Sequence, residues 1–416
     1  MAGHTRTVAL SGLGRRFWTL WLSFATSNLG DGLGLVVFPL LAVQLTDDAV
    51  GVAMVNVLRF LPFLLFGLPA GVVLDRFGRR NAVLVAQLAR SAALAAPVVA
   101  LAVDRASIAV LAASAFVVGI GEVITDGGEP AIVRDVVAAD RLEVANARLS
   151  ATQTSTNYII GPLLGAAVFT VSPTVGFMAV GALYLGSALA LVALPAGERR
   201  ADPESGRFTI EQLTGGLRFV WDHPLLRPLA LAVALFATVG AGVDAVLVIL
   251  ATQELGLSEV GFGWLLTISA VTSVLVSFVV AGLIARTSHG TSMRISIVTY
   301  VIGSAMLGLA PGAGMAGAAM AIRGAASPTW NVVSATVRQR LVPDVIFGRM
   351  MTAYLFLAWS MQPVGAFTGG AIAQRWGADV VLLLAALAIA GLGVVGHPLF
   401  RRIDIEMANA PAEAPT

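Results

Sequence analysis

Six ionisable side chains stand within stretches of the sequence that are otherwise apolar. They are three carboxylic acids and three arginines: Asp31, Glu122, Asp244, Arg59, Arg90 and Arg323. A charge inside a hydrocarbon layer is expensive, so such residues pair with one another or line a functional path. An acid beside an arginine stays ionised, whereas a desolvated acid without a partner takes up a proton. The six residues therefore predict either structural ion pairs or a centre that moves protons.

The surrounding stretches belong to a chain composed for a membrane. Of its 416 residues, 57% are hydrophobic and 12% are charged, and the mean hydropathy is +0.86; soluble domains carry roughly 25% charged residues. A helix needs about 20 apolar residues to cross a bilayer. Twelve such spans, numbered 1 to 12, are predicted to begin near Phe17, Val50, Asn81, Ser107, Ser150, Val175, Leu226, Val260, Ser292, Gly314, Phe347 and Asp379. The predicted fold class is an all-α membrane protein with twelve transmembrane helices.

Two missing residue types exclude several kinds of chemistry. The chain has no cysteine and no lysine, so disulfides, thiolate sites, Schiff-base catalysis and a phosphate-binding Walker lysine are absent. The four histidines lie near ends and loops without metal-ligand spacing: His4, His223, His289 and His397. We therefore predict no enzyme activity, no cofactor and no metal site.

The arginines predict the orientation of the chain in the membrane. Twenty-one of the 26 precede span 1 or follow an even-numbered span, whereas the opposite loops hold only Arg105 and Arg375. Because positively charged loops stay inside the cell, we predict a multi-pass protein of the inner (plasma) membrane with both termini in the cytoplasm. These basic patches face anionic lipid and give no support to nucleic-acid binding. We predict a monomer.

The chain divides into two halves that repeat each other. Charges crowd into residues 196–225, which we interpret as a cytoplasmic linker with an interfacial helix between bundles 1–195 and 226–402; residues 403–416 are predicted to be a disordered tail. Phe24 recurs as Phe236 at an offset of 212, and Gly71 recurs as Gly282 at an offset of 211. Two pseudo-symmetric six-helix bundles with a site between them are an architecture of transporters.

Depth along the spans predicts which charges meet. Counting about 1.5 Å per residue from the cytoplasmic ends places Asp31 and Arg59 about 22 Å deep and Arg90 and Glu122 about 15 Å deep. The same count places Asp244 and Arg323 about 22–27 Å deep. The expected pairs are therefore Asp31 with Arg59, Glu122 with Arg90 and Asp244 with Arg323, either as static ion pairs or as cavity residues that exchange partners. Asp31, which stands between two glycines, is the first candidate for the coupling acid, and Glu122 is the second.

The loop after span 2 carries a recognisable motif. Its residues are Gly71-Val-Val-Leu-Asp75-Arg76-Phe-Gly78-Arg79-Arg80, and they resemble the cytoplasmic signature loop of the major facilitator superfamily. Gly71 permits close helix approach, and Gly78 permits a tight turn. We predict that Asp75, Arg79 and Asp126 form an inner gate that protonation weakens; a static surface salt bridge is the alternative.

Two further resemblances concern activity. Gly161-Pro162-Leu-Leu-Gly165 in span 5 resembles the Gly-Pro motif of the superfamily's antiporters. SNLGDGLGLVVFPLLAVQLT in span 1 and GEVITDGGEP in span 4 look like the branch that contains macrolide-efflux and enterobactin-export proteins. The resemblance implies an antiporter that exports small amphipathic drugs or metabolites in exchange for protons by alternating access. A siderophore-like metabolite exporter and a non-transporting receptor or scaffold remain as alternatives.

Aromatic and amide side chains in the spans are candidates for contacting a small-molecule substrate by stacking and hydrogen bonding. They are Phe24, Asn28, Tyr158, Trp330 and Gln362. Helix packing is the alternative role for these residues.

Overall fold

The computed structural model describes residues 13–67, 69–138, 141–194 and 210–409. In these ranges the regular structure is helical throughout, and the helices form twelve spans. Spans 1 to 6 comprise Gly14–Leu45; Ala49–Phe66 with Pro69–Phe77; Arg79–Ala93 with Ala95–Ala102; Ile108–Val136; Leu142–Gln153 with Thr154–Ile160 and Gly161–Val171; and Pro173–Val192. Spans 7 to 12 comprise Leu226–Ile249 with Leu250–Glu254; Glu259–Ser277 with Val280–Arg286; His289–Gly308; Ala313–Leu341; Asp344–Ser360 with Gln362–Trp376; and Ala378–Val395.

Length and composition alone qualify eight of these described spans to cross a membrane. The other four are interrupted or carry more polar side chains. Spans 1 to 6 form one bundle and spans 7 to 12 form the other, so the all-α membrane fold predicted from the sequence is confirmed.

Polar side chains begin several spans. The carboxylate of Asp48 accepts hydrogen bonds from the backbone N–H groups of Val50 and Gly51, at 3.1 and 3.2 Å. Serine side chains do the same at the start of spans 4, 6, 8 and 9: Ser107, Ser172, Ser258 and Ser288. Each cap satisfies N–H groups that a helix leaves without an internal partner. This explains how these spans can begin directly after short connections.

Two hydrogen bonds between described residues join the two bundles in the halves of the spans that lie away from the arginine-rich loops. The backbone N–H of Ala49 donates to Oε1 of Gln374 at 2.6 Å. The hydroxyl of Thr267 in span 8 donates to the carbonyl of Ile159 in span 5 at 3.1 Å. We call this side the opposite end, and the side that carries Arg76, Arg79 and Arg80 the arginine-rich end.

Two helices in the described part of the chain lie outside the twelve spans. A helix, Ile210–Asp222, occupies part of the predicted linker, and its Val220 packs beside Tyr354 of span 11; residues 195–209 lie outside the described residues. The prediction of a disordered tail from residue 403 is wrong for its first part, because the helix His397–Asn409 continues through it. Ile403 and Met407 recur at helical spacing and are buried against the second bundle, a pattern that the polar composition of the tail conceals.

Candidate functional site

A buried network joins spans 1, 3 and 6 in the first bundle. The guanidinium of Arg90, which is wholly buried, donates to Oδ1 of Asp31 and to the hydroxyl of Tyr184, the latter at 3.0 Å. The Tyr184 hydroxyl in turn donates to the same Asp31 oxygen at 2.9 Å. The guanidinium carbon also lies 3.9 Å from the centre of the Tyr184 ring. One oxygen of Asp31 therefore accepts hydrogen bonds from two donors, and one of them is a charged guanidinium.

Small residues make room for this network. A Cβ at Gly30 would lie 2.9 Å from Cε1 of Tyr184, and a Cβ at Gly121 would overlap the side chain of Arg90. Ser27, one helical turn from Asp31, accepts hydrogen bonds from Gln87 at 2.7 Å and from Arg90 at 3.3 Å. The guanidinium of Arg90 thus bonds Ser27 through Nη1 and Asp31, one turn further along span 1, through Nη2.

A second buried pair joins spans 2 and 4. Nη2 of Arg59 lies 3.5 Å from Oε2 of Glu122. The predicted pairs Asp31 with Arg59 and Glu122 with Arg90 are therefore wrong, and the partners are exchanged. Residue counting gives depth but not direction around the helix, and an arginine side chain reaches across a difference of about one helical turn, ~5.4 Å.

Span 4 carries a line of acids that extends from the buried pairs towards the arginine-rich end. Glu122, Asp126 and Glu129 are four and three residues apart, so they share one side of the helix. Asp126 is exposed, whereas Glu129 is 6% exposed. Neither Oε1 of Glu129 nor the hydroxyl of Thr125 one turn away has a hydrogen-bond partner in the part of the chain that the structure describes.

Sequence reasoning missed two residues of this site. Glu129 has no arginine at a matching depth in the sequence, although its spacing from Glu122 and Asp126 is a usable signal. Tyr184 gave no signal, because a lone tyrosine in an apolar span looks the same whether it packs or bonds a carboxylate.

The loop after span 2 forms contacts other than those predicted. Nη1 of Arg79 pairs with Asp135 at 3.1 Å, nine residues beyond Asp126 on the same helix, so the predicted pairing of Arg79 with Asp126 is wrong. Arg79 is the first residue of span 3, and Asp135 is the next-to-last residue of span 4. Of the Asp75 side chain the structure gives no description. Gly78 has a φ of +82°, a backbone conformation that favours glycine and that turns span 2 into span 3.

Arg80 closes the end of span 6. Its Nε donates to the carbonyl of Leu191 at 2.9 Å, and its Nη2 donates to the carbonyl of Val192 at 3.0 Å. A cation bound to the last carbonyls of a helix also complements the helix dipole. The arginines of this loop therefore fasten spans 4 and 6 of the first bundle at the arginine-rich end.

The glycines of span 5 allow it to touch span 1 beside Asp31. A Cβ at Gly161 would lie 2.6 Å from Cα of Gly32, and a Cβ at Gly165 would lie 2.7 Å from the carbonyl oxygen of Leu33. The residues before Gly161 form a π-helical stretch, Thr154–Ile160, and its Ile159 carbonyl accepts the hydrogen bond from span 8 described above. The backbone carbonyl of Pro162 lies against Gly263 of the same span 8. Span 5 thus links the surroundings of Asp31 to the other bundle.

A cavity of about 310 Å³ opens between spans 7, 9 and 10 of the second bundle. Its walls include Phe236, Tyr300 and Trp330, and the predicted pair of Asp244 and Arg323 lies in it at 3.2 Å. Of the five predicted substrate residues, Trp330 lines this cavity. Phe24, Tyr158 and Gln362 are not among its lining residues, and Asn28 is buried and donates to the carbonyl of Phe24 at 2.9 Å.

Within the described ranges, no three His, Asp or Glu side chains are grouped so that they could hold a metal ion. The chemistry that this arrangement offers is the exchange of protons and of ion-pair partners in a low-dielectric interior.

Comparisons with known proteins give one family and several relatives of similar length. The sequence model of a family described as transmembrane secretion effectors matches residues 9–414. The chain is 28% identical to the multidrug efflux pump Tap of Mycolicibacterium fortuitum over 404 residues, which cover 93% of this chain and 96% of that protein. It is 22% identical to macrolide efflux protein A of Streptococcus pyogenes over 403 residues, covering 94% and 98%.

Solved structures share the fold at lower sequence identity. The crystal structure of the nucleoside transporter NupG matches with a TM-score of 0.75 and 15% identity, covering 93% of this chain and 100% of that chain. A bacterial homologue of the iron transporter ferroportin matches with a TM-score of 0.75 and 18% identity, covering 94% and 98%.

Proposed function

Because the chain belongs to the transmembrane secretion effector family of major facilitator transporters, we propose that it exports small amphipathic drugs in exchange for protons. That the chain is a multi-pass membrane transporter for small molecules and not an enzyme follows from the family and its efflux relatives. The proton coupling, the plasma-membrane location with the arginine-rich end in the cytoplasm, and the monomeric state are parts of the proposal. The relatives named for multidrug and macrolide efflux favour drug-like substrates.

The observation that carries the proposal is the network of Asp31, Arg90 and Tyr184 deep in the first bundle. While Asp31 is ionised, its charge holds the buried guanidinium of Arg90. A proton on Asp31 removes that charge and leaves Arg90 among the neutral groups of Ser27, Gln87 and Tyr184. A buried cation without a partner is costly, so protonation favours a rearrangement in which Arg90 is compensated elsewhere.

The second pair supplies that compensation. Glu122, whose charge also acts on Arg90, is bound to Arg59 by a single contact at 3.5 Å. When Asp31 is neutral, two arginines share Glu122, and spans 2, 3 and 4 are drawn to a new arrangement. The close crossing of Gly32 and Gly161 transmits movement of span 1 to span 5 and so to the other bundle. Proton binding thereby biases which end of the transporter is open.

The test is gradient-driven transport by purified protein in liposomes. With an acidic interior, the protein should concentrate a radiolabelled macrolide such as erythromycin, and a trapped pH dye should report that the interior becomes more alkaline as the drug enters. Liposomes without protein give the background. Saturable macrolide binding without accumulation or pH change would contradict the proposal and favour a receptor or scaffold.

A further inference from the structure

The cavity of the second bundle has the size and walls of a site for a flat ring system. Its volume of about 310 Å³ is at the small end of the range for ligand pockets, ~300–1,000 Å³. It therefore fits a molecule of two or three fused rings and is too small to enclose a macrolide.

Three aromatic rings from three different spans meet in its wall. The ring centroids of Phe236 and Trp330 are 4.4 Å apart, and those of Phe236 and Tyr300 are 5.4 Å apart at an interplanar angle of 79°. Trp330 and Tyr300 are almost fully buried, whereas Phe236 is partly buried. The aromatic surface that remains most available to a ligand is therefore the ring of Phe236, which contacts both other rings. Such a ring attracts planar rings and cations.

The charges at the cavity are unequal in accessibility. The side chain of Arg323 is 11% exposed, while that of Asp244 is 64% exposed. The guanidinium is covered, because its carbon lies 5.3 Å from the centre of the Tyr300 ring and its Nη2 binds Oδ1 of Asp244. Asp244 lies eight residues after Phe236, which puts the accessible carboxylate about 12 Å further along span 7 than the ring, and both residues line the cavity. A molecule that fills the cavity therefore meets an aromatic ring and an accessible carboxylate, so the cavity favours a positive charge.

The corresponding carboxylates of the two bundles differ in exposure. Phe24 and Asp31 in span 1 are seven residues apart, and Phe236 and Asp244 in span 7 are eight apart. The side chain of Asp31 is 10% exposed and bound by Arg90 and Tyr184, whereas Asp244 accepts one hydrogen bond from Arg323 and is open. The same element in the two bundles thus carries a shielded carboxylate in one and an accessible carboxylate in the other.

We propose that the cavity between spans 7, 9 and 10 binds planar aromatic monocations, with the ring system against Phe236 and the positive charge at Asp244. The inference rests on the proposed function in that such a ligand is one class of the small amphipathic molecules to be exported. It assigns recognition of charge to the second bundle and leaves the buried acids of the first bundle for protons.

Equilibrium binding to the purified full-length protein tests the proposal without any transport. Two three-ring fluorescent probes of similar shape and opposite charge are used: the cation 9-aminoacridine and the anion anthracene-9-carboxylate. The cation should bind saturably and much more tightly than the anion. Asp244→Asn should weaken cation binding about three- to fivefold, the scale of an exposed ion pair, and Phe236→Leu, which keeps the apolar volume, should weaken it about fivefold through the loss of ring contacts.

The control is Asp47→Asn, which removes one negative charge from an exposed loop outside the cavity and should bind the cation as the original protein does. Phe236→Leu keeps the test decisive if Asp244→Asn does not fold. Equal binding of the two probes, or cation binding that neither cavity substitution weakens, would overturn the inference even if the protein transports drugs. Cation binding that depends on both residues in a protein that moves no protons would support the inference while the proposed function fails.

Discussion

The exchanged ion pairs predict a specific pattern of energetic coupling in the first bundle. Replacing Glu122 by Gln removes the partner of Arg59, whose guanidinium lies 3.5 Å away and is largely buried. Two unit charges at that separation attract by about 5 kcal/mol at an effective dielectric constant of about 20. Removal of one partner from a buried pair costs about 3–5 kcal/mol. Glu122→Gln and Arg59→Gln should therefore each destabilise the protein by several kcal/mol.

The double substitution separates this pair from its neighbours. Denaturant unfolding in mixed micelles, followed by tryptophan fluorescence, should give a coupling free energy of about 2–3 kcal/mol between Glu122 and Arg59, as expected for residues in contact. The cycle of Glu122→Gln with Arg90→Gln should give about 1 kcal/mol or less, because Arg90 is bound to Asp31. Coupling of Glu122 to Arg90 that equals or exceeds its coupling to Arg59 would refute the pairing and restore the pairs expected from depth alone.

Three further substitutions have clear expected outcomes. Tyr184→Phe keeps the ring over Arg90 but removes the hydroxyl between Arg90 and Asp31. The free energy of unfolding should fall by about 1 kcal/mol, and the pH dependence of transport should change. An unchanged pH profile would mean that the hydroxyl takes no part in proton coupling. Glu129→Gln fills the same space and removes a buried carboxylate that has no hydrogen-bond partner at Oε1. The protein should therefore be at least as stable as before. A marked fall in the unfolding midpoint would mean that a cation bound to Glu129 stabilises the fold. Gly161→Ala pushes a methyl group against Gly32 and should lower the free energy of unfolding by about 1–3 kcal/mol, as overpacking does. The control is Gly186→Ala, which has open space at its Cβ and should change stability little. Similar effects at both positions would contradict a need for close contact between spans 1 and 5.

Much of the fold could be predicted from the sequence because a membrane restricts the segments that cross it to long runs of apolar residues. The apolar runs and the arginine-rich loops predict twelve spans, and the structure places twelve helical spans in the described residues. The pair of Asp244 and Arg323 was predictable because the second bundle offers no other arginine at that depth. In the first bundle two acids and two arginines lie within about one turn of each other, so depth could not assign the partners of Asp31 and Glu122.

The rest of the site depends on which neighbouring span each side chain faces, and the sequence does not give this directly. Tyr184 reaches Asp31 because Gly30 leaves room for its ring, a fit between two spans that are distant in sequence. Arg79 meets Asp135 and not Asp126 because the end of span 4, not its middle, lies beside the loop. The cavity forms where Phe236, Tyr300 and Trp330 from three spans converge, and only Trp330 of these was expected at a substrate site.

Asp31 can be tested directly by comparing two kinds of transport in the same liposomes. Asp31→Asn should lose accumulation of a radiolabelled macrolide driven by a pH gradient but should keep counterflow, in which unlabelled drug inside exchanges for labelled drug outside without a gradient. This result would separate proton coupling from substrate movement and assign the coupling to Asp31. Accumulation by Asp31→Asn that equals that of the original protein under the same gradient would contradict the account.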